Sequence, residues 1–323
     1  MTFRDKKFIW VVSFCFLTLL FIQANLFAFD KKASRSLSHY IMAVMYDNLG
    51  KLDSAIEEYK QALKYEYKNS DIHLNLAACY IKKNQINQAI DELGIAINFD
   101  PEAVEPHAIL GLLYSLQNKL DAANHEYEIA LQNASKLDPK NIEIYKSLGT
   151  VYLRQGKLKE AENVYSLILD LSPSDSEAHF YLGSIYYEIK KKEAAVKELK
   201  EAIKIKPDYH EALNYLGYVY VEENRNLDQA EKMIKKALDL QPDNGAYIDS
   251  LGWLYFKKGK FKEALKELEK ASSLLDDPII YDHLGDAYSK IGDRINAKLS
   301  WEESLRLEPN QDIVKEKIQS LNN

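Results

Sequence analysis

Cysteine is scarce in this sequence of 323 residues, which contains only Cys15 and Cys79. Cys15 lies inside an apolar run close to the N-terminus. If that run is removed, Cys79 is the only thiol left and no intramolecular disulfide can form. Because Cys79 stands between Ala78 and Tyr80 in a pattern typical of a helix, we expect a buried and unreactive thiol there.

Positive charge is also in short supply. The chain has 42 lysine and arginine residues against 49 aspartate and glutamate residues, which gives a formal net charge of -7 at pH 7. Proteins that bind a nucleic-acid backbone broadly need a basic surface to meet the phosphates. The acidic balance therefore argues against a nucleic-acid partner.

The N-terminal segment has the layout of an export signal. Residues 1–7 are basic, residues 8–22 are largely apolar, and residues 23–29 end in small or apolar side chains. The apolar run is shorter than the roughly 20 residues that span a bilayer, but it becomes long enough for an anchor if it is counted on to residue 29. We expect export to the periplasm or cell envelope, with either cleavage after Ala28 or retention as a membrane anchor. Leu26 keeps retention open, because it is bulkier than the small residue preferred there.

The rest of the chain is built on one repeated pattern, which is clearest in residues 244–271. This stretch has an apolar stripe at helical spacing, a turn at Gly259 and then a second stripe. The pattern recurs in steps of about 34 residues, as expected for a two-helix repeat. Residues 29–35 read as a linker and residues 312–323 as a capping helix and tail. With Ser36 as the first position, the sequence predicts eight repeats at 36–69, 70–103, 104–141, 142–175, 176–209, 210–244, 245–277 and 278–311.

Small residues recur where the two helices of a repeat should approach most closely. Position 8 of each repeat is alanine or glycine, and alanine occupies position 20 or its shifted equivalent. Helices whose axes lie about 8 to 10 Å apart leave no volume for a branched side chain at their crossing. A residue that tolerates positive φ separates the two helices in every repeat but the fifth, where Lys190 is a poor fit. These predicted turn residues are Gly50, Asn84, Asn118, Gly156, Asn224, Gly259 and Gly292.

Two repeats depart from the common length. The third carries about four extra residues around 133–136, which one added helical turn would absorb with the apolar phase kept. The sixth has one extra residue within 222–227, most simply in a longer loop. At the end of the chain, one face of a short helix should cover the last repeat, as solenoids require for solubility. That face is predicted to contain Ile313, Val314, Ile318 and Leu321.

In these positions the chain resembles the tetratricopeptide repeat family over nearly all of residues 36–311. The resemblance implies an all-α fold, a right-handed α-solenoid of stacked helix-turn-helix repeats closed by a C-terminal capping helix. It also implies a non-enzymatic scaffold or adaptor for protein partners, without a cofactor. Residues 226–230 and 244–253 further resemble repeat proteins of the bacterial envelope, some of which are adaptors for processing proteases. The expected partner is therefore a protein or peptide, such as an envelope protease or an assembly complex.

By the same resemblance, a partner's segment would bind along a concave groove lined by positions 2, 5, 9 and 12 of the first helices. In the last four repeats these positions give aromatic anchors and, toward repeat eight, an acidic end. The alternative is that the rings are half-buried packing. The candidate groove residues are Phe180, Ser184, Tyr187, Asn214, Tyr218, Val221, Asp249, Trp253, Phe256, Asp282 and Asp286. Of these, Asp249, Trp253 and Phe256 are predicted to be free of any packing role.

No catalytic constellation stands out in the sequence. Four histidines share position 4 of their repeats, and equivalent positions in stacked repeats lie about 8 to 10 Å apart, too far for ligands of one metal ion. We therefore interpret His39, His73, His107 and His179 as packing residues. Two alternatives to the adaptor stay open: homotypic assembly, and a metal-dependent hydrolase that would use Asp249, Asp282, His283 and Asp286.

Overall fold

The computed structural model describes residues 31–321, which form helices and turns without a strand. This confirms the predicted all-α class. Helix α1 covers residues 31–48, so residues 31–35 belong to a helix and not to the predicted linker. The helices that follow are α2 (Leu52–Tyr65), α3 (Ser70–Lys82), α4 (Ile86–Phe99), α5 (Val104–Leu116), α6 (Leu120–Leu137), α7 (Ile142–Arg154), α8 (Leu158–Leu171), α9 (Ser176–Glu188), α10 (Lys192–Ile205), α11 (His210–Glu222), α12 (Leu227–Leu240), α13 (Gly245–Lys257), α14 (Phe261–Leu274), α15 (Pro278–Ile291), α16 (Arg294–Leu307) and α17 (Asp312–Ser320).

The chain divides into two compact units, unit 1 ending at Lys157 and unit 2 beginning at Leu158. Within unit 1, α3 packs on α4 and α5 on α6, and further contacts join α2 to α3, α4 to α5 and α6 to α7. Unit 2 is built in the same way from α8 to α17. Each interior helix is thereby covered by both of its neighbours. The predicted export signal falls on residues outside those described, and no helix within 31–321 is long and apolar enough to cross a membrane.

Every turn between the helices of a pair contains a residue with positive φ. All seven predicted turn residues have this conformation, and Lys190 adopts it as well, with φ of 64°. The next residue's amide then donates to the carbonyl of the tyrosine at position 11, as Lys191 does to Tyr186 at 2.7 Å. Positive φ raises the conformational energy of most residues other than glycine and asparagine, so Lys190 is a point of local strain.

The small residues at position 8 are required by the close packing of the two helices in a pair. A Cβ added to Gly183 would lie 2.7 Å from Leu199 Cγ and 3.2 Å from the carbonyl oxygen of Ala195. A Cβ on Gly285 would lie 2.5 Å from the indole of Trp301. The sequence prediction that positions 8 and 20 mark the closest approach is confirmed.

The two irregular repeats accommodate their extra residues as predicted. Helix α6 has 18 residues where α4 has 14, so the third repeat gains one helical turn. The added turn places Asn133 in the interior, where its Nδ2 donates to the Pro101 carbonyl at 3.0 Å. In the sixth repeat the extra residue lengthens the loop, in which Asn224 and Asn226 both have positive φ.

Helix α17 covers the end of unit 2 with a narrower apolar face than predicted. Val314 is buried against Ala297 and Trp301, and Ile318 and Leu321 pack at the edge of this cluster. Ile313, by contrast, is 71% exposed, so its assignment to the covering face is wrong. Its side chain projects away because one residue of a helix turns by about 100° from the next.

Candidate partner-binding face

The first helices of repeats five and six present a group of aromatic side chains, which we call the aromatic face: Phe180, Tyr181, Tyr187, Tyr215 and Tyr218. The Phe180 ring lies 5.2 Å from Tyr181 and 6.0 Å from Tyr215, and Tyr187 meets Tyr215 edge-on at 6.1 Å. All five rings are only partly buried. The structure therefore joins Phe180 to Tyr187 through Tyr215, and Tyr218 packs against the same core cluster. It adds Tyr181 and Tyr215, which the sequence reasoning had missed. Both stand at position 6, which directly follows position 5, one of the positions predicted to line the groove.

The hydroxyl groups of the aromatic face are kept protonated by their surroundings. Burial, followed by the nearby Glu188 carboxylate, raises the pKa of Tyr215 to about 12. Burial and Glu222 raise the pKa of both Tyr187 and Tyr218. These phenols are thus available as hydrogen-bond donors over the whole physiological pH range.

Repeats seven and eight are joined by a different aromatic group, which we call the Trp253 cluster: Asp249, Trp253, Phe256 and His283. The Trp253 ring is stacked with His283, with centroids 3.9 Å apart, and with Phe256, 4.6 Å away. Its Nε1 donates to Glu222 Oε1 at 2.5 Å. Trp253 is only 7% exposed, so this ring is largely a packing residue.

A buried charged pair forms the base of the Trp253 cluster. His283 Nδ1 donates to both carboxylate oxygens of Asp249, at 2.9 and 3.2 Å, and both side chains are buried. Burial alone would lower the pKa of His283, but attraction and hydrogen bonding to Asp249 outweigh it and raise that pKa. The pair connects α13 to α15 and therefore helps to hold successive repeats together.

Several predicted groove residues are thus placed differently from what the sequence indicated. Asp249 and Trp253 were predicted to be free of packing roles, and this is wrong, because both are buried in contacts between repeats. Val221 is also fully buried, because position 12 of α11 faces the core. Ser184 Oγ donates to a carbonyl of its own helix, and Asn214 Oδ1 has no hydrogen-bond partner among the described residues.

The predicted acidic end is neutralised from within the chain. Lys317 of α17 lies 2.6 Å from Asp282 Oδ1 and 2.8 Å from Asp286 Oδ1. Burial nevertheless raises the pKa of Asp286. The two carboxylates therefore attach the last helix to repeat eight and do not form an open acidic surface, which corrects the prediction. The sequence showed the carboxylates but gave no means of placing Lys317 opposite them.

The histidines at position 4 make a contact that recurs within their repeats. In each case Nδ1 donates to a glutamate 19 residues later, at 2.6 or 2.7 Å, on the second helix of the same repeat. The interpretation as packing residues is confirmed, but their glutamate partners were missed, although each stands at position 23 of its repeat. Within 31–321 no three His, Cys, Asp or Glu side chains are grouped so that they could hold a metal ion. The pairs are His39 with Glu58, His73 with Glu92, His107 with Glu126 and His179 with Glu198.

Comparison with known families agrees with this architecture. A family model described as the C-terminal domain of cilia and flagella-associated protein 70, of tetratricopeptide type, matches residues 102–317. A tetratricopeptide repeat model matches residues 49–113. The chain belongs to the tetratricopeptide repeat family. Proteins of this repeat type generally mediate protein-protein interactions.

Solved tetratricopeptide repeat structures share the fold at low sequence identity. A repeat protein from Parabacteroides merdae ATCC 43184 is 19% identical with a TM-score of 0.61, and the match covers 79% of this chain and 99% of that one. A chain of the APC/C hetero-tetramer Cut9-Hcn1 is 18% identical with a TM-score of 0.59, and the match covers 84% of this chain and 53% of that one. Pseudomonas aeruginosa pilF is 20% identical with a TM-score of 0.52, and the match covers 68% of this chain and 98% of that one. Comparison with curated proteins yields no match. At these identities the likeness shows the fold alone.

Proposed function

We propose that this chain is a non-enzymatic adaptor of the cell envelope, which binds an extended segment of a protein partner on the first helices of unit 2. The family supports an interaction scaffold. The N-terminal layout of basic, apolar and small residues supports export. The aromatic face supplies the surface for the partner.

One observation carries this proposal: five rings of α9 and α11 remain partly exposed side by side, although each of them also packs within the repeats. Position 11 already supplies the tyrosines that recur in every repeat. The aromatic face is additional to these, because its residues stand at positions 5, 6, 9 and 12 of two successive repeats. Tyrosine concentrates binding energy at protein interfaces because it offers a rigid apolar ring with a polar tip.

The four residues considered for a metal-dependent hydrolase support the non-enzymatic assignment. Asp249 and His283 are buried against each other, and Asp282 and Asp286 share Lys317. Each side chain is thereby held in an internal contact. Metal analysis of the purified protein tests this directly, since a stoichiometric bound ion would contradict the adaptor assignment.

The adaptor proposal is tested by capturing envelope proteins on the mature chain and on the double variant Tyr187→Ala with Tyr218→Ala. We expect the specific partner to be lost with the variant, because two contact rings are removed. Tyr67→Ala, which removes a 58% exposed ring from unit 1, is the matched control and should capture normally. Circular dichroism is used to check that both variants are folded. Equal partner recovery by the wild type and the double variant would refute the assignment.

Homotypic assembly is the second candidate function, because helix α1 leaves an apolar stripe uncovered among the described residues. Leu37, Ile41 and Met45 follow one another at four-residue spacing in α1, Leu49 continues the spacing in the turn after it, and each is at least half exposed. Such a stripe can pack against the same stripe of a second copy. Light scattering of the wild type and of Ile41→Asp with Met45→Asp tests this, and a monomeric wild type at working concentrations would remove the candidate.

A further inference from the structure

The first helices differ in the charge of their last residue. Helices α3, α7 and α13 end in Lys82, Arg154 and Lys257, whereas α9 and α11 end in Glu188 and Glu222. The carboxyl end of a helix carries partial negative charge, so a cation there is stabilising and a carboxylate is unfavourable. Repeats five and six therefore place glutamate where the electrostatics of the helix alone favours lysine or arginine.

The basic residue in repeat seven shows what a cation does at this position. Lys257 Nζ lies 4.6 Å from the ring centroid of Trp253, within the range of a cation-π interaction. In repeats five and six the corresponding residue is a glutamate, and among residues 31–321 no lysine or arginine stands over the rings of Tyr187, Tyr215 or Tyr218. These three rings thus lie beside carboxylates and have no cation over them, whereas Lys192 and Arg225 pair with Glu223, the neighbour of Glu222.

The two glutamates are close enough to act on this face. Glu188 directly follows Tyr187 in α9, and Glu222 stands four residues after Tyr218, one turn along the same side of α11. In agreement with this placement, Glu188 raises the pKa of Tyr215, and Glu222 raises the pKa of Tyr187 and Tyr218. Glu188 is exposed and has no ion-pair partner within 31–321. Glu222 accepts a hydrogen bond from Trp253 and is also exposed, so its carboxylate can still receive a second donor.

We propose that the aromatic face binds an extended cationic segment of a protein partner, with arginine or lysine side chains over the rings of Tyr187, Tyr215 and Tyr218 and against Glu188 and Glu222. This inference rests on the proposed adaptor function and specifies the chemistry of its partner. The observed rings and carboxylates are complementary to cations, and an acidic segment would be repelled. Arginine suits the site best, because its planar group both stacks on rings and forms paired hydrogen bonds with carboxylates.

The test measures the binding of a labelled octapeptide of alternating glycine and arginine to the mature chain by fluorescence anisotropy. The same peptide with citrulline in place of arginine keeps the shape and removes the charge. We expect the arginine peptide to bind at least about tenfold more tightly, equivalent to about 1.4 kcal/mol. Its affinity should fall as salt is raised from about 0.05 to 0.3 M, because exposed charges are screened. Equal affinity for the two peptides would overturn the inference.

A matched pair of variants separates the face from the overall acidity of the chain. Glu188→Gln with Glu222→Gln should weaken the arginine peptide at least about fivefold, which is roughly 1 kcal/mol. Glu160→Gln with Glu193→Gln changes the net charge equally at exposed positions on second helices and should leave binding within about twofold. An equal loss in both pairs would show nonspecific attraction and would overturn the proposal.

The same variants distinguish this inference from the proposed function. If partner capture requires Tyr187 and Tyr218 but is unchanged by the two glutamine substitutions, the adaptor assignment stands and the cationic partner is refuted. If capture does not require the tyrosines, the adaptor assignment itself falls, whatever the peptide does.

Discussion

Two kinds of histidine-carboxylate pair occur in this molecule. In unit 1, His73 and His107 each bond to a glutamate of the same repeat, and the carboxylates remain partly exposed. In unit 2, His283 bonds to Asp249 of the preceding repeat, and both side chains are buried. In the first kind the carboxylate stands on the second helix of the same repeat, and only the histidine Nε2 reaches the preceding repeat, as His73 does to the Tyr67 carbonyl at 2.8 Å. In the second kind the carboxylate itself belongs to the preceding repeat. The comparison shows that a histidine-carboxylate pair can stabilise a single repeat or the contact between two repeats, depending on which repeat contains the carboxylate.

Their surroundings predict different costs of disruption. A carboxylate at the edge of a repeat can be hydrated when its histidine is lost, whereas a carboxylate inside an interface cannot. We therefore expect loss of the buried pair in the Trp253 cluster to destabilise the chain more than loss of a pair within one repeat. The aromatic face lies on the preceding two repeats, and its rings are only partly buried.

The largest expected effect comes from His283→Ala. This change leaves the buried Asp249 carboxylate without its partner and removes a stacked neighbour of Trp253, so it should lower the free energy of unfolding by about 3 to 5 kcal/mol. His107→Ala is the matched change in unit 1 and should cost only about 1 to 2 kcal/mol, because Glu126 can be hydrated. Urea unfolding measures both. Equal losses would show that the two kinds of pair do not differ.

Replacing glycine by alanine should lower the stability where the glycine is tightly packed and not where it faces open space. Gly285→Ala would press a Cβ against the rigid indole of Trp301, at a cost of about 1 to 3 kcal/mol. Gly94→Ala, within α4, meets no atom within 4 Å. Alanine is favoured over glycine in a helix, so this variant should gain up to about 1 kcal/mol. Thermal unfolding of the two variants checks the contrast, and a stabilised Gly285→Ala would refute the packing argument.

The buried pair should also make stability depend on pH. Because the pKa of His283 is raised in the folded chain, its contribution is complete below the unfolded pKa of about 6.5. That contribution is lost as pH rises through the folded pKa. The free energy of unfolding of the wild type, measured relative to His283→Gln by urea at about pH 6 and pH 9, should therefore fall with increasing pH. A difference that stays constant over this range would contradict the charged pair.

The smallest effect is expected at the turn of the fifth repeat. Lys190 has the positive φ that the other turns give to glycine or asparagine. Lys190→Asn removes most of this strain and should stabilise the chain by about 0.5 to 1 kcal/mol. Lys140→Asn, an exposed lysine in a turn without positive φ, is the control and should change little. A destabilised Lys190→Asn would show that the lysine side chain has a contact of its own.

The structural features that recur in every repeat could be predicted from the sequence, whereas the contacts that occur at one place only could not. Periodicity located the turns, the close approach at Gly183 and the added turn of α6, because each of these repeats a physical constraint or departs visibly from it. It could not show that Lys317 pairs with Asp282 or that His283 lies between Trp253 and Asp249. The first contact joins the capping helix to repeat eight and the second joins repeats seven and eight. Each occurs at a single place, so the periodicity of the sequence does not reveal it. The position-6 rings Tyr181 and Tyr215 were missed because their exposure depends on how neighbouring helices pack.

The central claim, that a partner binds on the first helices of unit 2, is tested most directly by site-specific photo-crosslinking. The photoreactive residue p-benzoylphenylalanine replaces either Ser184 on α9 or Lys200, an exposed residue on the second helix α10. The chain is irradiated in cells that make it, and adducts are identified by mass spectrometry. We predict a defined partner adduct from position 184 and none from position 200. Adducts from position 200 with none from position 184 would contradict the claim.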